Sequence, residues 1–147
     1  MGLAGATDPA VYEGLRDVLG RQPEITSVTY EPDSISKRFL RATVAPERVE
    51  PPTGPDPPTL EVEWRFSDGN TRYRIHYADP NTDFSCGWHR DDDHPELGSI
   101  HFQYEDPRTG ETTHEPVTFE PAVPTELLWR ATERLFERRL PSLAVRQ

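Results

Sequence analysis

Histidine is the side chain whose ordinary pKa lies between pH 5 and 8, and the arginine guanidinium grips phosphate or carboxylate bidentately. A segment rich in both is where proton transfer beside an anion would be sought. The middle of this 147-residue chain is such a segment: Arg72, Arg74 and His76, then His89 and Arg90, then His94 in the stretch Arg90-Asp91-Asp92-Asp93-His94-Pro95, then His101 and His114. Two chemistries fit these residues. His89 and His101 can exchange protons while Arg74 or Arg90 stabilises a charged transition state, a set that suits phosphodiester cleavage. Alternatively His89, His94 and His101, with an aspartate from the adjacent run, supply the donors of zinc or another divalent metal, at a spacing that matches no established zinc signature. A plain structural origin competes with both, because polar residues collect on the solvent side of any half-buried sheet.

The elements that must position these residues follow from periodicity. Leu60, Val62, Trp64 and Phe66 alternate with Glu61, Glu63 and Arg65, Ser67-Asp68-Gly69-Asn70 turns the chain, and Tyr73, Ile75 and Tyr77 alternate on the return. This is a hairpin pattern. The alternation continues with Phe84, Cys86 and Trp88, with Ile100, Phe102 and Tyr104, and with Val117 and Phe119 after the turn at residues 106–110. Two earlier strands are expected over residues 25–30 and 38–44, of undetermined pairing. Asp8 caps and Pro9 starts a first helix running to Gly20, with Val11, Leu15, Val18 and Leu19 at helical spacing. A last helix spans residues 124–140, its stripe of Leu127, Leu128, Ala131 and Leu135 widened by Trp129, Phe136 and Leu140. Six prolines between residues 45 and 58 forbid a helix or central strand and make a stiff surface loop.

The expected fold is α+β, one domain over residues 1–147: an antiparallel meander of five to seven strands with the N-terminal and C-terminal helices on one face. The other face then carries Arg72, Arg74, His76, Ser85, Gly87, His89, His101, Gln103 and His114. If Trp88 faces Phe102, His89 and His101 become direct cross-strand neighbours with Cβ atoms about 4.5 to 5.5 Å apart. His76 is expected roughly 13 Å away along its strand, in a different subsite. Glu61, Glu63 and Glu105 are placed towards the margins. Cys86, like Trp64, Trp88 and Trp129, falls on a core face, which argues against a thiol nucleophile and against a base-stacking platform of tryptophans.

Composition bounds the setting. Twenty-six acidic residues against 16 basic ones give a net charge of −10, and Lys37 is the only lysine. Such a surface suits high salt, where charge is screened over roughly 3 Å at about 1 M, and it weighs against generic binding to nucleic acid or anionic membranes. A single cysteine excludes an intramolecular disulfide, and neither a signal peptide nor a membrane span is found, so a cytoplasmic location is expected.

Tyr73-Arg74-Ile75-His76-Tyr77, Trp88-His89-Arg90 followed by His94-Pro95, His101-Phe102, and Pro116-Val117-Thr118-Phe119 ahead of the last helix together resemble the TumE-type toxins of prokaryotic toxin and antitoxin pairs, and a family of small proteins from halophilic archaea. The resemblance covers about half the chain. It implies a small α+β toxin component acting on RNA or another phosphate-bearing substrate, a small antitoxin or other protein as partner, and a histidine-rich segment corresponding to His89, His94 and His101. The alternatives are a non-catalytic protein-interaction module and a histidine-rich metal-binding domain.

Overall fold

Inward-pointing apolar residues at every second position need one surface to bury them, and successive strands supply it by pairing in chain order. The computed structural model describes residues 3, 5–67, 70–90, 100–117 and 123–144. Within them β1 (Ile25–Glu31), β2 (Phe39–Val44), β3 (Thr59–Ser67), β4 (Asn70–Asp79), β5 (Phe84–Arg90), β6 (Ile100–Glu105) and β7 (Thr112–Pro116) form one antiparallel sheet in the order β1 to β7. The two early strands, whose pairing the sequence leaves open, extend the meander to seven. The final strand lies earlier than expected: β7 ends at Pro116, Val117 follows it, and Phe119 is outside the described residues.

Register is fixed by the core. Leu40 faces Val62, Val62 faces Ile75, Ile75 faces Trp88, and Trp88 faces Phe102, an apolar row across five strands. All five side chains are buried. Burying each such side chain contributes about 1.5 to 3 kcal/mol, and because the pleat repeats every two residues a slip of one would turn the whole set to the opposite side.

The helices cover this row. Helix α1 (Pro9–Gly20) starts where expected: the Asp8 carboxylate accepts the N–H groups of Ala10 and Val11, and Tyr12, Leu15 and Leu19 point into the core. Helix α2 (Pro124–Arg134) adds Leu127, Leu128 and Ala131, then widens into a π-turn over Leu135–Arg139 before α3 (Leu140–Ala144). Pro141 has no N–H for the i→i−4 ladder, and Leu140 donates to the Leu135 carbonyl instead. Trp129 departs from its expected core position. It is 38% exposed, its indole N–H donating to Glu133 one turn on.

Strand β3 outruns β2, whose pairing stops at Leu40↔Val62, so its upper half has no strand partner on that side. Side-chain and N-terminal groups complete it. The Tyr12 hydroxyl accepts the Trp64 N–H at 3.0 Å and donates to the Arg38 carbonyl at 2.8 Å, while Ala6 exchanges two backbone hydrogen bonds with Phe66. Arg65, 1% exposed, donates to Tyr12 and forms a 2.9 Å ion pair with Glu63. The proline-rich segment is less uniform than expected. Pro46–Arg48 forms a 3₁₀ turn, Val49 is buried, and Asn81 of the β4–β5 connection pins the segment by exchanging hydrogen bonds with the backbone of Asp56.

Gly87 sits where β5 presses against β4: a Cβ there would stand 2.1 Å from the Ile75 carbonyl oxygen. Gly87→Ala is therefore expected to destabilise the fold by about 3 kcal/mol or more, whereas Gly20→Ala, with open space around it, should be neutral or mildly stabilising. Urea unfolding of the two variants checks this; equal midpoints for Gly87→Ala and the parent chain would contradict the crowding.

Candidate functional site

One residue away from the buried row lies its outer counterpart. Glu63 faces Arg74, Arg74 faces His89, His89 faces His101, and His101 faces Pro116, with Phe39 next to Leu40 in line with Glu63. A second outer row runs Arg41, Glu61, His76, Gly87, Gln103 and His114. The imidazoles of His76, His89, His101 and His114 form a column across β4 to β7, with successive ring centroids 6.3, 5.3 and 5.6 Å apart.

The direct facing of His89 and His101 follows the Trp88–Phe102 pairing read from the sequence. The 13 Å expected for His76 does not hold, because Asp79 faces Phe84 across a four-residue connection and so brings Gly87 opposite His76. His76 thus stands diagonal to His89 in the same column. Arg90 also requires correction as a partner of His89. It faces Tyr73 and Ile100 and shares the parity of Trp88, so the pleat directs it to the helix side. His94 and Asp91 to Asp93 lie outside the described residues. Among the described residues no three His, Cys, Asp or Glu side chains converge as a metal shell requires.

Burial sets the protonation of two members of the column, His89 and His76. His89 is pushed down to about 3 by desolvation, helped by the positive charge of Arg74 and then by His101, His76 and His114. His76 is lowered to about 4 by desolvation and Arg74, against an opposing pull from Glu61. Both imidazoles are neutral at pH 7. Nε2 of His89 and Nδ1 of His76 are buried with no hydrogen-bond partner among the described residues, and such groups cost about 1 to 3 kcal/mol each unless something engages them. His101 is 1% exposed, enclosed behind its neighbours. Cys86 is buried in the core with its thiol pushed up by desolvation, as its alternation with Phe84 and Trp88 anticipates.

Two of the three glutamates expected at the margins, Glu61 and Glu63, are inside the rows, and arginines compensate both. Glu61 pairs with Arg41 at 3.0 Å and Glu63 with Arg65 at 2.9 Å, whereas Arg74 reaches Glu61 only at 3.7 Å with its side chain 36% exposed. A hollow of about 390 Å³ opens here, lined by Phe39, Glu61, Glu63 and Arg74. A larger groove of about 490 Å³ runs between α1 and β1, past Arg16, Asp17 and Arg21, but it contains no imidazole or other group poised for proton transfer at neutral pH. Among the described residues, the imidazoles that could transfer protons therefore lie in the outer rows. The part played by Phe39 and the burial of Glu63 and Arg65 escaped the sequence argument. Phe39 left a signal, being aromatic on the polar parity of β2, while the burial of Glu63 and Arg65 depends on Tyr12 and the N-terminal segment and left none.

The imidazoles also make a stability signature. A histidine whose pKa is lower folded than unfolded favours the unfolded chain as soon as pH drops below about 6.5, and the loss continues down to the folded pKa. With folded values of about 3 and about 4, His89 and His76 should each withdraw about 2 kcal/mol between pH 7 and pH 5. In His89→Gln the pH dependence measured by urea unfolding should shrink by that amount. A His89 imidazole that titrates near 6.5 by NMR in the folded protein would show the burial argument to be wrong.

Comparison of the chain with family models, with curated proteins and with solved structures finds no match in any of the three. Among the described residues no helix is long and apolar enough to cross a membrane.

Proposed function

We propose that the outer face binds the phosphate of an RNA substrate and that the chain is a toxin-like phosphodiester-cleaving enzyme. The observation that carries the reading is the unbroken register Arg74, His89, His101 across three adjacent strands. Arg74 receives the phosphate, since its guanidinium is the exposed cation of that row and, among the described residues, holds a long contact with Glu61. His89 moves the proton. As a neutral imidazole it takes the proton of the ribose 2′-hydroxyl as that oxygen attacks phosphorus; the bond to the 5′-oxygen breaks, and the proton passes to the leaving oxygen. A bound phosphate supplies the negative charge that raises the His89 pKa from its low resting value, so substrate itself brings the imidazole into its working range. His101, enclosed at 1% exposure, is a positioning residue that holds the His89 ring edge-on at 5.3 Å.

Charge favours an anion over a metal ion in this place. The charged groups acting on His89 are Arg74 first and then other imidazoles, so a divalent cation would meet that guanidinium, while the nearby carboxylates among the described residues, Glu61 and Glu63, are already paired with Arg41 and Arg65. Zinc at His89 and His101 therefore ranks second.

Purified protein should cleave a single-stranded RNA to a 2′,3′-cyclic phosphate and a 5′-hydroxyl, and overexpression should slow growth. His89→Ala and Arg74→Ala should each lower the cleavage rate by about a hundredfold or more with folding retained. Undiminished cleavage or growth inhibition in a folded His89→Ala chain overturns the reading. Capture of a small protein partner that survives both replacements, with no cleavage by the parent chain, identifies an interaction module instead.

A further inference from the structure

The phosphate reading leaves unexplained why an aromatic side chain lies in the outer row. Phe39 is on the parity opposite to the buried Leu40, Ala42 and Val44, and with Glu61, Glu63 and Arg74 it lines the hollow of about 390 Å³. That volume is within the roughly 300 to 1,000 Å³ typical of small-molecule sites. Arg74 belongs to both places, since it lines the hollow and faces His89. A phosphate held between Arg74 and His89 therefore places whatever it carries on the β2 side over this hollow, about two strand spacings of roughly 4.8 Å from Phe39.

We propose that the hollow is a nucleoside subsite, in which one base stacks on Phe39 and its exocyclic amino group donates to Glu61. This deepens the reading of the same face as a phosphate site and rests on it. The four lining residues have distinguishable states. Glu63 is committed: Oε1 accepts the Leu3 N–H at 3.0 Å and Oε2 accepts from Arg65 at 2.9 Å. Glu61 is half committed, with Oε2 accepting both Nε and Nη2 of Arg41 while, among the described residues, Oε1 has the 3.7 Å contact to Arg74. Oε1 of Glu61 is thus the carboxylate oxygen available to a ligand amino group. Arg41 lies 5.6 Å from the Phe39 ring centroid, so a base on the hollow side completes a guanidinium, phenyl and base stack. The hollow does not repel an anionic ligand, because Arg41 and Arg65 answer its two carboxylates and Arg74 remains for the phosphate.

Two probes separate the two levels of the inference: inorganic phosphate, and a short 2′-O-methyl oligoribonucleotide that cannot be cleaved. Binding of each is measured by calorimetry at one fixed salt concentration. Phe39→Ala should weaken the oligonucleotide on the order of ten- to a hundredfold and leave inorganic phosphate unchanged, while Phe39→Trp should hold or tighten it. Arg74→Ala should weaken both probes. If Phe39→Ala perturbs folding, Phe39→Leu keeps the apolar volume without the aromatic face and should show the same selective loss. Oligonucleotide affinity unchanged in a folded Phe39→Ala or Phe39→Leu chain overturns the nucleoside subsite and leaves the phosphate site standing. Failure of the parent chain to bind either probe, or indifference of both to Arg74→Ala, overturns the phosphate site and the subsite with it.

Discussion

The arrangement of the outer face depends on a single constraint, the pairing of large apolar side chains on the inner one. Leu40, Val62, Ile75, Trp88 and Phe102 meet in line because no other register buries all of them beneath the helices. Each strand has only two sides, so fixing this row also fixes its neighbour, and Phe39, Glu63, Arg74, His89 and His101 are brought into line without any attraction of their own. Several of their contacts are unfavourable. Arg74 lowers the basicity of His89, and the neighbouring imidazoles of His101, His76 and His114 lower it further. The hydrophobic row sustains a polar row that would not assemble by itself, which is the usual relation between a rigid scaffold and a reactive set of side chains.

Strand-level features were legible because they are local. The Asp8-Pro9 helix start, the β3–β4 hairpin and the facing of His89 with His101 each follow from a few consecutive residues and a period of two or 3.6. Arg90 was equally legible: the alternation that sets Phe84, Cys86 and Trp88 inward continues to it, and only its chemical attractiveness placed it beside His89. The position of His76 was harder, since it turns on the length of the β4–β5 connection, where Asp79-Pro80-Asn81-Thr82-Asp83 reads as a turn without declaring which residues face one another. Trp129 shows the limit of helical spacing. Leu127, Leu128, Ala131 and Thr132 already fill the buried arc, and a ring whose N–H can meet Glu133 is satisfied at its edge.

What local pattern could not show is that the outer face is itself partly dry. Glu63, Arg65 and His101 occupy positions that alternation assigns to solvent, yet all three are buried. For Glu63 and Arg65 the cause is distant in sequence. Tyr12 and the backbone near Leu3 and Ala6 complete the bare upper edge of β3, and Arg65 turns its guanidinium into that junction. Removing these charges from water is tolerable because they are paired at 2.9 Å and further hydrogen-bonded; a lone charge there would cost several kcal/mol.

Partial dryness also gives the site its electrostatic character. In a protein of net charge −10 an exposed arginine row would be surrounded by a field and a salt atmosphere that blunt its hold on an anion. Here the carboxylates nearest Arg74 are answered by Arg41 and Arg65, so the local balance differs from that of the molecule as a whole. The buried imidazoles add donors without adding charge, because desolvation keeps His89 and His76 neutral. Neutral donors beside an exposed guanidinium in a low-dielectric setting discriminate by geometry more than by net charge, since a hydrogen bond there is stronger and an unmet one costlier than in water. A net acidic surface can in this way coexist with a recess whose carboxylates are already paired with arginines.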